Sequence, residues 1–323
     1  MKLSLDIFIF QLQKKVNNKY QTEPSDFNEV YNKFNNQSEE HKGLHYFLSE
    51  LILQADTTFK SNSDNSKAFS FDSANDIKIR SENNTISGKF LGGNTGVKVD
   101  IYSNSDSSRV THTIKPTEVS SLQFFFKLWL PRDFNTGILI VQRYSQHTCL
   151  ALFKDHLSAT FKKLGYKFIV HKFVPKEIKE KFKQDCRIYE IKIVNKQDIN
   201  SELKPKLDLL GTSRFSRIIS NISLSLNSII TDSAYKNKVS NEIKELEPNF
   251  NPSLHNLKYF YIDNTGQKAS SSSDELECLL PSVNLDVTCS NSDNTLNWEE
   301  IENVADNYIA LIKNDLNYTV IEQ

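Results

Sequence analysis

The stretch from residue 122 to residue 157 is the most strongly patterned part of this sequence. Two apolar segments, residues 122–130 and 137–143, flank a short turn that begins with Pro131, which is typical of a β-hairpin. Apolar residues then recur at the spacing of one helical face: Leu150, Phe153, Leu157, Phe161 and Leu164. A hairpin followed directly by a helix requires a core that combines strands with helices.

The N-terminal part follows the same mixed pattern. Leu5, Ile7 and Ile9 alternate with other residues, which predicts an opening strand. Apolar residues at helical spacing predict a short helix over residues 27–34, and a second helix is expected over residues 44–54. Short strands are expected from there to the hairpin.

The segment after the hairpin helix carries clear start and stop signals. Gly165 is expected to end that helix, and residues 166–173 to form a strand. Pro175 stands where a further helix would begin, ahead of another strand over residues 187–194.

We therefore predict an α+β fold with mixed, mainly antiparallel sheets, flanking helices and two domains. The segment at residues 203–211 indicates a linker between them. Residues 1–202 would form a β-rich α+β domain with a hairpin–helix core. Residues 212–323 would form a smaller α+β domain that ends in a helix over residues 298–316.

The cysteines and the hydrophobic segments indicate a compartment. The four cysteines form no CxxC pair, which argues against a metal knuckle and favours reduced thiols. No run of about 18 apolar residues occurs, as a membrane-spanning helix would need. We expect a cytoplasmic protein without a metal or another cofactor.

Charge is distributed unevenly along the chain, although the net charge is -1. Residues 154–217 hold 16 lysines and arginines against 8 acidic residues, whereas residues 218–323 hold 6 against 16. A basic segment interleaved with aromatic residues suits contacts to phosphates, because each bound lysine releases counterions. The candidate DNA contacts are Lys162, Lys163, Lys167, Lys172, Lys176, Arg214 and Arg217. The alternative is a solvated lysine face, or one that docks on an acidic protein surface.

Glu190 and Lys192 define a second hypothesis. They have the E-x-K spacing of restriction-type nucleases, in which acidic residues hold Mg²⁺ and a lysine polarises the attacking water. Residues at i and i+2 share one face of a strand, so the geometry is permitted. That core also needs an aspartate on a neighbouring strand, and a solvent-facing pair is the simpler interpretation.

Three other constellations have simpler explanations than a site. His41 and His45 lack the glutamate of a zinc protease motif. The glycine-rich residues 92–96 lack the end of a phosphate-binding loop and predict a hairpin turn. Cys149 follows His147 too closely for the two side chains to face each other on a helix, so we expect Cys149 to be buried.

The acidic residues of the last helix also have a structural explanation. They stand at its start, where carboxylates favour the positive end of the helix dipole. This set comprises Glu299, Glu300, Glu302 and Asp306. We expect them to stabilise the helix without a metal.

The order of these elements resembles the RexA-type phage exclusion proteins. The similar region covers roughly residues 120–315, with the hairpin LQFFFKLWL and GILIVQR, the segment KFIVHKFVPKE leading to RIYEIKIV, the strand KYFYIDNTGQ and the final helix. The resemblance implies a non-enzymatic, homodimeric, DNA-binding sensor that acts with a small membrane protein to block phage growth. The DNA-binding component of Kiwa-type defence systems would imply a similar role. The present chain is longer, through an additional β-rich N-terminal part.

The sequence therefore favours a sequence-tolerant DNA-binding protein of bacterial or prophage antiviral defence. A homodimer in the cytoplasm is expected, with a small membrane protein as a further partner. The alternatives are a Mg²⁺-dependent nuclease that uses Glu190 and Lys192, and a protein-interaction component of a defence complex.

Overall fold

The computed structural model describes most of the chain, with several gaps. The described residues are 3–35, 59–71, 77–144, 149–185, 187–198, 217–230, 255–262, 268–273, 283–292 and 295–318. They fall into two compact units. Unit 1 comprises residues 1–173 and 282–323, and unit 2 comprises residues 174–281.

Strands outnumber helices in the described residues. The strands are β1 (Leu3–Val16), β2 (Lys19–Tyr20), β3 (Lys60–Ser61), β4 (Lys67–Ser70), β5 (Lys78–Arg80), β6 (Thr85–Asn94), β7 (Val99–Ser103), β8 (Asp106–Ile114), β9 (Ser120–Trp129), β10 (Gly137–Tyr144), β11 (Tyr166–Lys172), β12 (Arg187–Asp198), β13 (Arg217–Ile230), β14 (His255–Ile262), β15 (Lys268–Ser273) and β16 (Val283–Asn284). The helices are α1 (Phe27–Asn35), α2 (Leu150–Lys163), α3 (Lys176–Asp185) and α4 (Trp298–Asp315).

Unit 1 is organised around one antiparallel sheet. Its strand order is β11-β1-β10-β9-β6-β4-β3, with β2 and β16 also paired to β1 and β5 paired to β6. Strands β7 and β8 form a separate two-stranded ribbon. Unit 2 contains α3 and a four-stranded antiparallel sheet in the order β13-β12-β14-β15. The observed α+β class, with antiparallel sheets and flanking helices, confirms the predicted one.

Helices cover both faces of the central sheet in unit 1. Phe126 of β9 contacts Phe153 of α2, with ring centroids 5.0 Å apart. The preceding residue, Phe125, contacts Trp298 of α4 at 5.8 Å. Because successive strand residues point to opposite faces, α2 and α4 lie on opposite sides of the sheet. Strand β1 is consequently buried on both faces along most of its length. The alternation of Leu5, Ile7 and Ile9 had indicated burial of one face only.

Phenylalanine rings fill the space between α2 and the sheet. Phe153 stacks on Phe90 with a centroid distance of 4.7 Å and an interplanar angle of 6°. Phe69 and Phe71 pack edge-on against the same α2 ring, and all five rings with Phe126 are buried. Aromatic pairs of this kind contribute about 0.5–1.5 kcal/mol beyond the area that they bury. Aromatic contacts thus form much of the packing between α2 and the sheet.

The predicted hairpin and its helix are confirmed. Strands β9 and β10 pair with Trp129 opposite Ile138. Helix α2 follows, and its predicted apolar face is buried except for the partly exposed Leu150. Gly165, with φ of 87°, allows the chain to leave α2 in the left-handed conformation and enter β11.

The two compact units differ in extent from the predicted domains, residues 1–202 and 212–323. The C-terminal residues belong with the N-terminal sheet, because Val283 of β16 pairs with Leu5 of β1. Phe173, which follows β11, donates its backbone N–H to Ile7 on the same edge of β1. Unit 2 is therefore an insertion between two strands, β11 and β16, that line one edge of β1.

Two further expectations from the sequence concern helices. The helix predicted over residues 44–54 lies outside the described residues. Among those that are described, no helix combines the length and the apolar character needed to cross a bilayer.

Candidate nucleic-acid interface and a buried charge network

Three of the predicted DNA contacts lie close together where α2 turns into β11. Lys162 and Lys163 occupy the last turn of α2, and Lys167 is the second residue of β11. All three side chains are exposed. The tight turn at Gly165 brings them to one end of the central sheet.

Three further lysines join them, and the sequence interpretation missed these. Lys15 of β1 donates its backbone N–H to Gly165 at 3.0 Å, and Gln13 lies directly opposite Lys167 in the β1–β11 register. Lys19 of β2 pairs back onto the end of β1. The sequence signal that could have identified them is the pair Lys14-Lys15, which follows a long apolar strand. Lysines at such a strand end are expected to lie outside the core.

We call this set the lysine surface. It consists of Lys14, Lys15, Lys19, Lys162, Lys163 and Lys167, all exposed. Lys14 forms an ion pair with Glu29 of α1 at 3.1 Å. Tyr20 is 37% exposed beside these lysines, so an aromatic ring is presented together with the ammonium groups.

Lys162 and Lys163 also have a structural role. Cations in the last turn of a helix interact favourably with the negative end of its dipole, by about 0.3–1 kcal/mol at exposed positions. The ammonium groups remain exposed to solvent while they interact with the dipole. Helix stabilisation and phosphate binding are therefore compatible at these two positions.

Lys172 has a different environment from the lysine surface. It stands at the far end of β11, five residues beyond Lys167, which corresponds to roughly 16 Å along a strand. Its Nζ lies 3.7 Å from Oδ1 of the buried Asp6, and Arg143 pairs with the other oxygen of that carboxylate at 3.7 Å. Burial lowers the pKa of Lys172, and Arg143 lowers it further, while Asp6 opposes the shift. Lys172 is thus part of an ion-pair cluster with Asp6.

The remaining predicted contacts belong to unit 2. Lys176 is the first residue of α3 and is exposed. Arg217 is the first residue of β13, and the structure defines its backbone. Arg214 lies outside the described residues. Within unit 1, the structure therefore groups Lys162, Lys163 and Lys167 and separates Lys172 from them along β11.

Glu190 and Lys192, the proposed nuclease pair, lie on β12. This strand pairs with β13 on one side and β14 on the other, and its register shifts at Glu190. Neither β13 nor β14 contains an aspartate or glutamate over its described length. The neighbouring strands therefore do not supply the aspartate that the restriction-type core requires.

A buried ionic network connects α4 to the central sheet. Lys127 of β9 has no exposed side-chain surface, and its Nζ lies 2.6 Å from both Glu302 and Asp306. Ser87 of β6 donates to the Glu302 carboxylate at 2.9 Å, and Arg80 of β5 contacts Asp306 at 3.3 Å. An ammonium group is thus held on a sheet face by two carboxylates from one helix.

Glu302 is ionised in this network at neutral pH. Burial by itself would raise its pKa, but the hydrogen bond and charge of Lys127, the hydroxyl of Ser87 and the charge of Arg80 together bring it below the ordinary value. The ammonium of Lys127 and the carboxylate of Glu302 therefore face each other as charged groups. A charge pair of this kind requires such additional hydrogen bonds to be tolerated out of water.

The network corrects the interpretation of the acidic residues in the last helix. Glu299 and Glu300 lie in the first turn of α4, as expected of carboxylates at the positive end of a dipole. For Glu302 and Asp306 that explanation was wrong, because both bind Lys127 across the sheet face. A single acidic cluster in sequence therefore serves two separate purposes.

Of the other constellations, Cys149 has the role expected for it, whereas the hairpin turn predicted at residues 92–96 was wrong for Gly92 and Gly93, which lie within a strand. Cys149 is confirmed as buried, and burial raises the pKa of its thiol. Gly92 and Gly93 belong to β6, and the chain turns only after them, at residues 95–98. A Cβ at Gly93 would overlap the carbonyl oxygen of Ser120 on β9, so this glycine permits close strand contact. His41, His45 and His147 lie outside the described residues.

Metal binding finds no donor set in the part of the chain that the structure describes. No group of three or more histidine, cysteine, aspartate or glutamate side chains there is arranged to hold an ion. No protein-family model matches the chain, and no curated protein is significantly similar to it.

Proposed function

We propose that this protein binds DNA through the lysine surface without reading its sequence. The proposal rests on one observation: two connections that are distant in the chain, β1–β2 and α2–β11, bring six exposed lysines to one end of a rigid sheet. Glu29 of α1 forms an ion pair with one of the six, Lys14, at 3.1 Å. A concentration of positive charge on a firm scaffold attracts polyanions and raises their rate of association.

Lysine ammonium groups suit sequence-tolerant binding. They are compact, flexible point charges that contact phosphate oxygens, which carry no sequence information. Six such contacts at most would give a slope of roughly -5 when the logarithm of the binding constant is plotted against that of the salt concentration. The ion pair of Lys14 with Glu29 would reduce this slope.

The test is binding of the purified protein to a labelled random-sequence duplex at several salt concentrations. Replacement of Lys162, Lys163 and Lys167 together by glutamate is expected to reduce affinity by at least about a hundredfold at low salt, because attraction to phosphates becomes repulsion. The matched control replaces Lys60, Lys98 and Lys115, three exposed lysines of other strands and loops, by glutamate. Equal affinity of the two variants would contradict the proposal.

The same experiment distinguishes binding from cleavage. We propose a non-enzymatic role, which predicts that the duplex remains intact when Mg²⁺ is added. Cleavage that depends on Mg²⁺ and disappears in Glu190→Ala would instead support the nuclease hypothesis. The absence of acidic residues from the described parts of β13 and β14 favours intact DNA.

We further propose that DNA binding serves bacterial or prophage antiviral defence in the cytoplasm. The support is the resemblance of the element order to RexA-type proteins, together with the free, buried thiols of Cys149 and Cys289. The test is expression in a bacterial host, with and without a neighbouring gene for a small membrane protein. Expression together with that gene should lower the plating efficiency of phage. Full activity of the lysine-to-glutamate variant would separate the defence role from DNA binding.

A homodimer is the assembly that we propose, and the ribbon of β7 and β8 supports it. The ribbon exposes the apolar side chains of Val99, Ile101, Tyr102 and Val110, with fractional exposures of 40–47%. Exposed apolar groups clustered on one element are typical of protein–protein contacts. Replacement of Ile101 and Val110 by aspartate should shift the mass measured by light scattering from dimer to monomer, whereas Ser108→Asp should not. An unchanged mass would exclude the ribbon as the interface.

A further inference from the structure

The tip of the β1–β2 hairpin has a well-defined backbone geometry. Its turn residues, Asn17 and Asn18, both lie in the left-handed region, with φ of 49° and 64°. Left-handed residues at both positions are typical of a type I′ turn, whose twist matches that of the strands it connects. The pairing places Tyr20 directly opposite Lys15. Because opposite residues of an antiparallel pair share a face, the two Cβ atoms lie roughly 4.5–5.5 Å apart on one side of the hairpin.

Lys167 joins the same face from the other edge of β1. It lies opposite Gln13 in the β1–β11 register, and Gln13 is two positions before Lys15 on β1. Side chains two positions apart on a strand point to the same face. Lys167, Lys15 and Tyr20 therefore form a row across three neighbouring strands, β11, β1 and β2. We call this set the tyrosine row, and its two lysines, a diagonal pair, have Cβ atoms about 7–8 Å apart.

The side chains of the tyrosine row are accessible to a ligand. Lys15 and Lys167 are exposed, and Tyr20 is 37% exposed. Within the residues that the structure describes, neither ammonium forms an ion pair and the Tyr20 ring contacts no other ring. The carboxylate of Glu29 pairs with Lys14, which adjoins Lys15 and so points to the opposite face of β1. Two ammonium groups and one aromatic ring therefore face solvent together.

We infer that the tyrosine row binds single-stranded DNA, with one base stacked on Tyr20 and neighbouring phosphates bound by Lys15 and Lys167. Since this preference rests on the proposed DNA binding, it concerns the same lysine surface. Stacking on an aromatic side chain tolerates any sequence, because every base has a π-face. In a duplex the faces of the bases are stacked on one another, so only an unpaired strand can use the ring.

The scaffold favours this mode of binding. The three strands are hydrogen-bonded to one another, so the ring and the two lysine positions are held in place before a ligand arrives. A tyrosine side chain also has few rotatable bonds, so that its immobilisation costs little conformational entropy. Pre-organised groups of this kind lower the cost of ordering that binding would otherwise incur.

Fluorescence anisotropy of the full-length protein with a labelled oligothymidine tests the preference. A strand of about 20 nucleotides is sufficient, because one single-strand-binding fold covers roughly 4–16 nucleotides. It should bind at least about tenfold more tightly than a random duplex of the same length at the same salt concentration. Tyr20→Ala should weaken binding of the strand by about tenfold and that of the duplex by less than about twofold, whereas Tyr20→Phe should retain both. Phe59→Ala is the matched control, because Phe59 is 38% exposed and precedes β3 at the opposite edge of the sheet.

A strand of the same length with abasic sugars isolates the contribution of the ring. It keeps the phosphates and lacks the bases, so the wild type should bind it about tenfold more weakly than oligothymidine. Tyr20→Ala should bind the two strands equally. Equal affinity of the wild type for strand and duplex, or an unchanged strand affinity in Tyr20→Ala, would overturn the inference and leave the DNA-binding proposal intact. Failure to bind either form of DNA would overturn both.

Discussion

Lys127 shows how one residue can determine the packing of a whole helix. Its side chain is completely buried on a sheet face that also carries large apolar groups such as Trp129 and Ile140. A buried ammonium without partners would be strongly destabilising, and here two carboxylates of α4 compensate it. Lys127 in turn balances the charge of the buried Glu302.

Replacement of Lys127 by methionine should therefore destabilise unit 1 although the two side chains are similar in volume. The loss of the ammonium leaves Glu302 buried without its main partner, which costs roughly 3–5 kcal/mol in comparable buried pairs. Urea unfolding followed by circular dichroism measures the change. A double variant, Lys127→Met with Glu302→Gln, should recover part of the loss, whereas the exposed Lys115→Met should change stability by less than about 0.5 kcal/mol. A Lys127→Met protein as stable as the wild type would contradict the buried pair.

The pKa of Glu302 also predicts how stability depends on acid. Since its pKa is lower in the folded protein than the ordinary value of 4.5, the unfolded chain binds this proton at higher pH than the folded chain does. The stabilisation is fully present above pH 4.5 and is lost as the pH falls through the depressed pKa. Unfolding free energies measured from pH 6 downwards should decline more steeply for the wild type than for Glu302→Gln. Parallel curves would show that Glu302 has an ordinary pKa.

Strand β6 illustrates how an element depends on the absence of a side chain. It pairs with β9 along ten residues, and Gly93 lies opposite Ser121 in that register. The backbone of β9 passes so close that no Cβ fits at Gly93. The glycine pair of β6 therefore serves strand packing at this point of the sheet.

Gly93→Ala should consequently destabilise the protein, although alanine is better tolerated than glycine in an open strand. Overpacking against a rigid strand costs about 1–3 kcal/mol, and the clash here is with backbone, which cannot rotate away. Thermal or urea unfolding provides the measurement. Ser121→Ala, at the exposed position opposite, is the matched control and should be nearly neutral. A neutral Gly93→Ala would mean that β6 and β9 lie further apart.

At the scale of the whole molecule, unit 1 is assembled from two segments of the chain, residues 1–173 and 282–323. Strands β11 and β16 lie along the same edge of β1, so residues 173 and 283 end beside each other. Helix α4 then covers the face that bears Lys127. A long insertion between adjacent positions is tolerated because loop-closure entropy grows slowly with length.

Removal of residues 174–281, with a short Gly-Ser linker joining the ends, should leave unit 1 folded. It retains the central sheet, both covering helices and the lysine surface, so salt-dependent DNA binding should persist. Circular dichroism and the duplex-binding assay report on the two properties. A folded variant that no longer binds would assign the DNA contacts to unit 2, where Lys176, Arg214 and Arg217 are encoded.

A fragment of residues 1–202, the first domain predicted from the sequence, should not fold stably. It lacks β16 and α4, and it therefore exposes one face of the sheet and leaves Lys127 without its carboxylates. We expect non-cooperative thermal unfolding and aggregation. A cooperative transition at the temperature of the full-length protein would contradict the role assigned to α4.

Local patterns in the sequence were sufficient for many elements. The hairpin of β9 and β10, helix α2 with its apolar face, the end of that helix at Gly165 and the presence of helix α4 were each predicted. These features depend on residues within a few positions of one another, where the strand and helix repeats determine which side chains share a face. The α+β class followed from them.

The sequence by itself thus determined the types of element, their approximate limits and the burial of Cys149. Tertiary structure alone decided that α4 returns to the N-terminal sheet and that Glu302, together with Asp306, faces Lys127, which is 175 residues away from Glu302. It also decided that Lys14 and Lys15 join Lys162 and Lys163. The physical reason is that pairing across the fold depends on strand order and register. These arise from the burial of all faces together and leave no signature in neighbouring residues.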